Sequence, residues 1–209
     1  MLNVEVLLYV LLAYLTGSIP FAVWLGRIFY KIDVRKFGSG NAGATNVFRV
    51  IGWRIGCIVL LLDVAKGWFS VYYLNFISDT YFVSKFQFEL QLALGIAAVI
   101  GHILPIYIGF NGGKGIATLL GLLFAINFPA ASFAILIFFI IFIIFRYVSL
   151  ASIFASFSFP VFIYFFTGYD NYSLMIFAFF VPVLSLITHR KNIVRLLTRK
   201  GTKVNFGKK

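Results

Sequence analysis

Long apolar runs separated by short polar islands form the dominant pattern of this chain. Val6 to Gly26, Ile55 to Phe76, Leu90 to Gly109, Tyr147 to Tyr169 and Asn171 to Thr188 each approach the roughly 20 residues that one bilayer crossing needs. Pro20, near the end of the first run, is expected to kink it. Ser78 to Gln87 reads as a short external loop, with Asp79 balancing Lys85. Gly115 to Phe145 behaves differently: its 31 uncharged residues exceed one crossing and fall short of two full ones. Asn127-Phe-Pro129 breaks it near the middle, so the expectation is a hairpin of two short helices.

Charge parity supports the hairpin. The C-terminal tail carries eight basic residues (Arg190, Lys191, Arg195, Arg199, Lys200, Lys203, Lys208 and Lys209) and no acid. A single crossing between Gly115 and Phe145 would place this tail outside, against the positive-inside rule. With seven crossings, 16 of the 18 basic residues are cytoplasmic; Lys85 is external and Lys66 lies within a span. The expected fold is therefore an all-α integral membrane protein, one domain over residues 1–209. It has about seven transmembrane helices, its N-terminus outside and its C-terminus cytoplasmic. Glu5 and the absence of a basic segment make the first run a membrane helix rather than a cleavable signal.

Composition agrees. Charged residues make up 11% of the chain, against about 25% in soluble domains, so a soluble domain is excluded. The net charge of +12 sits largely in the loops and tail on one side, where it suits an anionic lipid surface rather than nucleic acid. The single cysteine, Cys57, is read as a packing residue, and no Cys/His cluster has metal-ligand spacing.

Chemistry concentrates in three islands, all on the cytoplasmic side in this topology. The first holds Gly38, Ser39, Gly40, Asn41, Thr45, Asn46 and Arg49. Glycines let a backbone turn sharply and uncover its N–H groups, which form anion-binding hollows, and Arg49 adds charge-assisted bonds to phosphate. The second is Gly112-Gly113-Lys114-Gly115 ahead of a helix. It is not a P-loop, because Gly115 stands where Ser or Thr should hold magnesium and no strand precedes it. It reads as a glycine turn with Lys114 as a point charge for phosphate. The third contains His189 and Asn192, which share a face if the stretch is helical; Arg146, Ser149 and Ser152 lie on the same side. Asp63 and Lys66, within a span and three apart, are read as a structural pair in preference to catalytic groups.

One-sided clustering of anion-binding elements favours an enzyme using a cytoplasmic anionic substrate over the alternative, a membrane transporter for an organic phosphate or other anion. No inverted repeat of the kind many transporters carry is evident.

The ordered set of motifs resembles the bacterial acyl-phosphate-dependent glycerol-3-phosphate acyltransferases, the PlsY family. The matching segments are Gly-Ser-Ile-Pro-Phe at 17–21, Gly-Ser-Gly-Asn-x-Gly-Ala-Thr-Asn at 38–46 with Arg49, and Asp-x-x-Lys-Gly at 63–67. They continue with Gly-His-x-x-Pro at 101–105, Gly-Gly-Lys-Gly-x-Ala-Thr at 112–118, Arg-x-Val-Ser at 146–149 and His-x-x-Asn at 189–192. The resemblance implies acyl transfer from acyl phosphate to the 1-hydroxyl of glycerol 3-phosphate, the first step of phospholipid synthesis, in the bacterial inner membrane. It implies no cofactor and no metal, with lipid as the surroundings, and leaves the oligomeric state open, a monomer included.

On this reading Ser39, Arg49, His189 and Asn192 are the catalytic candidates. Gly38, Gly40, Asn41, Thr45 and Asn46 are expected to cradle the acyl-phosphate head. Gly112, Gly113, Lys114 and Gly115 are expected to bind the acceptor phosphate, with Arg146 and one of Ser149 and Ser152 adding contacts. The acyltransferase motif of His, four residues and Asp is absent. Either His189 or a phosphate oxygen of the substrate accepts the proton.

Overall fold

The computed structural model describes residues 4–78, 80–167 and 171–204. Asp79, Tyr169, Lys208 and Lys209, which entered the topology argument, lie outside them. The protein is an all-α integral membrane protein, with no strand among the described residues. In chain order the helices are α1 (Val4–Ser18), α2 (Phe21–Tyr30), α3 (Ala44–Val50), α4 (Trp53–Val71), α5 (Thr80–Lys85), α6 (Gln87–Ile103), α7 (Ile116–Ile126), α8 (Phe128–Phe145), α9 (Val148–Phe166) and α10 (Tyr172–Leu197). Five spans are long and apolar enough to cross a bilayer by themselves, and α1 with α2, bent by 41° at Ile19–Pro20, meets the same test as a pair.

Several local outcomes differ from the linear reading. The first run does not stop at Gly26; α2 continues through Arg27 to Tyr30. The expected external loop after Ser78 contains α5. The break at Asn127 is where the sequence placed it, because the Asn127 side chain accepts the Ala130 N–H at 3.0 Å and Pro129 sits in the first turn of α8. The two flanking helices are unequal, however. α7 has 11 residues, about 16 Å, while α8 has 18 and is long enough to span. The cause is the glycine turn at 112–115, which delays the start of α7, while the tight cap at Asn127 leaves every later apolar residue to α8.

The chain divides into two compact units, one ending at Ile126 and the other starting at Asn127. In the first, α1 packs on α6 and α4 on α7. Both contacts need glycine: a side chain at Gly101 would strike the Tyr14 carbonyl, and one at Gly67 the Thr118 carbonyl. Small residues let membrane helices approach closely where the hydrophobic effect cannot drive association. In the second unit, α9 packs against both α8 and α10. α8 is apolar all round yet exposes Leu136, Phe139, Ile143 and Ile144, as a lipid-facing helix does.

Candidate active site

In the first unit the polar islands become two glycine loops lying side by side. The loop at 37–43 is built around Asn46, which is 1% exposed on α3. The Asn46 Oδ1 accepts from the Ser39 N–H at 2.8 Å and from the Ser39 hydroxyl at 3.0 Å. Its Nδ2 donates to the carbonyls of Val34 at 2.7 Å and Phe37 at 3.1 Å. These four bonds use both donors and both lone pairs of the amide. Asn46 is thus a brace with no bonding capacity left for a ligand, a role the sequence did not distinguish from substrate contact. Gly38 is required beside it: its φ is +61°, and a side chain there would run into Asn46 Oδ1. Ser39, whose hydroxyl donates to Asn46, keeps oxygen lone pairs. Asn41 and Thr45 are half-buried and Arg49 is exposed along the same stretch.

Asp33 and Arg35 tie this loop to the second one. The Asp33 carboxylate accepts from Arg35 Nε at 3.1 Å and Nη2 at 2.9 Å, and from Arg27 Nη2 at 2.7 Å. Arg35 Nη1 then crosses 73 residues of sequence to donate to the Ile108 carbonyl at 3.1 Å. The bond from Arg35, aided by Arg27, holds the Asp33 carboxyl well below the usual carboxylate range. Because the folded pKa is depressed, the stabilisation is full above the unfolded value of about 3.9 and fades as the pH falls towards the folded one. The melting-temperature gap between wild type and Asp33→Asn in detergent should therefore stay constant from about pH 8 to pH 5 and narrow only below about pH 4. A gap already closed near pH 6 would mean that the carboxylate is not held this way.

The second loop folds back on the end of α6. Gly112 N–H donates to the Ile103 carbonyl at 3.2 Å and Gly113 N–H to the His102 carbonyl at 3.1 Å. The expectation that these two N–H groups meet a phosphate therefore does not fit the geometry, since they satisfy carbonyls at the helix end. Just after Lys114 and Gly115, the first turn of α7 has N–H groups with no intrahelical carbonyl to take them. Between the loops lies a cleft of about 530 Å³, lined by Asp33, Arg35, Lys36, Gly40, Phe110 and Asn111 among others. Its size falls within the range of small-molecule sites.

Beneath the second loop is a buried polar cluster. Lys66 Nζ lies 2.9 Å from Asp63 Oδ1 and also donates at 2.9 Å to the carbonyl of Ile19, where α1 breaks. His102 Nδ1 lies 3.4 Å from Asp63 Oδ1 and 3.1 Å from Thr118 Oγ1. A cavity of about 10 Å³, room for about one water, is lined by Ile19, Asp63, Lys66, His102 and Gly113 among others. Four motifs that the sequence presented separately, at 17–21, 63–67, 101–105 and 112–118, meet here. The pairing of Asp63 with Lys66 was legible from their spacing. The roles of His102 and Arg35 were not, although the Gly-His-x-x-Pro segment marked the first.

In the second unit the third island is helical, since α10 runs on to Leu197. Val204 N–H donates to the Arg146 carbonyl at 2.9 Å, and Lys203 lies over the Tyr147 ring at 5.5 Å. The C-terminal end of α10 and the α8–α9 turn are thereby held at one end of this unit. That brings Arg146 and Ser149 to the same end as His189 and Asn192. Ser152 is buried and its hydroxyl donates to the Val148 carbonyl at 2.9 Å. His189 is buried with Nδ1 at 3.0 Å from the Ser185 carbonyl. A carbonyl only accepts, so Nδ1 carries the proton in the neutral ring and Nε2 keeps its lone pair.

A family model described as glycerol-3-phosphate acyltransferase matches residues 7–199. The glycerol-3-phosphate acyltransferase of Endomicrobium trichonymphae is 42% identical over 203 residues, 97% of this chain and 98% of that protein. The protein of the same name from Chlorobaculum tepidum is 38% identical over 96% of this chain and 97% of its own length. Among solved structures, the glycerol 3-phosphate form of PlsY, an integral membrane glycerol 3-phosphate acyltransferase, superposes with a TM-score of 0.83 at 38% identity, covering 96% of each chain. Its lysophosphatidic acid form gives 0.79 at the same identity, over 96% of this chain and 95% of that one. With nearly its whole length accounted for by sequence and by fold, this chain belongs to the glycerol-3-phosphate acyltransferase family.

Proposed function

We propose that this chain transfers a fatty acyl group from acyl phosphate to the 1-hydroxyl of glycerol 3-phosphate, giving 1-acyl-glycerol 3-phosphate (lysophosphatidic acid) and inorganic phosphate. The observation that carries the reading is the pair of glycine loops, bonded to each other through Arg35 beside one cleft and followed by Arg49 and Lys114. Two neighbouring cationic loops suit a reaction that joins two phosphate-bearing molecules. Acyl phosphate is a mixed anhydride with a good leaving group, so proximity and charge stabilisation suffice and no protein nucleophile is needed. The acceptor oxygen bonds to the acyl carbon, the carbon–oxygen bond to phosphate breaks, and the proton passes to a phosphate oxygen or, on the motif resemblance, to His189.

Ser39, Asn41, Thr45 and Arg49 are assigned to the acyl-phosphate head. Asn46 and Gly38 hold that loop in shape. Lys114, with the first turn of α7, is assigned to the acceptor phosphate. His189 and Asn192, with Arg146, Ser149 and Ser152, are assigned to the acceptor on the motif resemblance. The positive-inside distribution supports seven crossings in a bacterial cytoplasmic membrane with these loops facing the cytoplasm.

The direct test is phosphate release by purified protein from a synthetic acyl phosphate, with and without glycerol 3-phosphate, beside an acyl-CoA control. Release should depend on glycerol 3-phosphate and fail with acyl-CoA. Folded protein that releases nothing under these conditions refutes the donor assignment. In the same assay Lys114→Ala should raise the acceptor KM about ten- to a hundred-fold, the size of one lost charge-assisted contact, with a smaller change in the donor KM.

A further inference from the structure

The buried cluster below the second loop holds more than mutual neutralisation of two charges would require. Asp63, Lys66 and His102 are respectively 2%, 4% and 6% exposed, so none meets a ligand from bulk solvent directly. A membrane helix that needed only charge balance would stop at the Asp63–Lys66 pair. Here Asp63 also faces His102, and His102 grips the loop above it at two points. Its ring abuts Gly113 so closely that any side chain there would overlap Nε2, while its carbonyl accepts the Gly113 N–H at 3.1 Å. Its Nδ1 meets Thr118 Oγ1 at 3.1 Å, in the first turn of α7. Gly113 and Thr118 flank Lys114 in sequence. The two anchoring points thus bracket the residue whose height above the membrane decides what its ammonium group reaches.

We propose that His102, aligned by Asp63 and bonded to Thr118, is a positioning residue for Lys114: it sets the Gly112–Lys114 turn at the height where Lys114 meets the phosphate of glycerol 3-phosphate. Lys66 completes the device by holding Asp63 and the Ile19 carbonyl together. The proposal rests on the reading that Lys114 binds the acceptor phosphate. It differs from a packing role in one respect. A packing defect reduces the amount of folded enzyme and acts on both substrates, whereas a displaced Lys114 weakens the acceptor alone.

The test is a set of steady-state constants for donor and acceptor, with melting temperatures, on purified full-length variants. Thr118→Val keeps the shape of the side chain and removes only the bond to His102. It should raise the KM for glycerol 3-phosphate about five-fold, the effect of one lost hydrogen bond, leave the KM for acyl phosphate unchanged, and lower the melting temperature by only about 2–4 °C. Thr118→Ser restores the hydroxyl and should return the acceptor KM to the wild-type value. His102→Gln should raise the acceptor KM further; if that variant does not fold, the Thr118 pair decides alone. Ser70→Ala removes a hydroxyl that bonds only the Lys66 carbonyl, at 2.6 Å, and should change neither constant. An unchanged acceptor KM in Thr118→Val, or equal rises for donor and acceptor, overturns the proposal. An unchanged acceptor KM in Lys114→Ala overturns instead the reading on which it rests.

Discussion

Asn46→Ala is expected to lower kcat/KM by about a hundred-fold or more while leaving the membrane helices folded. The amide makes four hydrogen bonds that together shape the chain from Val34 to Ser39. Each bond is worth about 1 kcal/mol net, and loss of the set costs about 3 kcal/mol or more after relaxation, which corresponds to at least about a hundred-fold in rate. The loss falls on the loop because its glycines have no side chains with which to hold the same path. Asn46→Asp sharpens the point. Aspartate still accepts from Ser39, but its second oxygen would face the carbonyls of Val34 and Phe37, where Nδ2 now donates. It should be as damaging as alanine. Kinetics with both substrates, beside a thermal melt, check both variants. An Asn46→Ala enzyme within about three-fold of wild type would mean that the loop keeps its shape by other means.

Lys66→Met is expected to abolish stable folding in detergent or to lower the melting temperature by about 10 °C. Removing one partner of a buried ion pair costs about 3–5 kcal/mol, and in a chain of this size each kcal/mol moves the transition by about 2–4 °C. Two groups are stranded at once: the Asp63 carboxylate inside a spanning helix, and the Ile19 carbonyl where α1 breaks. The double variant Asp63→Asn/Lys66→Met carries no net charge at the pair and should recover folded protein. It should not recover the acceptor KM fully, because the neutral amide holds the His102 ring more weakly than the carboxylate does. Melting curves and size-exclusion profiles of the two single variants and the double variant give the coupling. A Lys66→Met protein that melts with the wild type would remove the pair from any part in holding α4 to the α1 break.

The membrane class, the all-helical architecture, the break at Asn127 and the family were all legible before folding. They follow from one-dimensional properties: the length of apolar runs, the asymmetry of basic residues, the helix-breaking Asn127-Phe-Pro129 segment, and motifs in a set order. The Asp63–Lys66 pairing was legible for the same reason, since a spacing of three places both side chains on one helix face. Which polar groups are spent on the protein itself emerged only in three dimensions. Asn46, Gly112 and Gly113 stand in the motifs as candidates equal to Ser39 and Lys114, but their bonding groups turn inward, to Ser39, Ile103 and His102. Arg35 gave no signal beyond its charge, and it links the two loops through the carbonyl of Ile108. Whether a donor is available to a ligand depends on which distant part of the chain arrives beside it, and periodicity and spacing carry no information about that meeting.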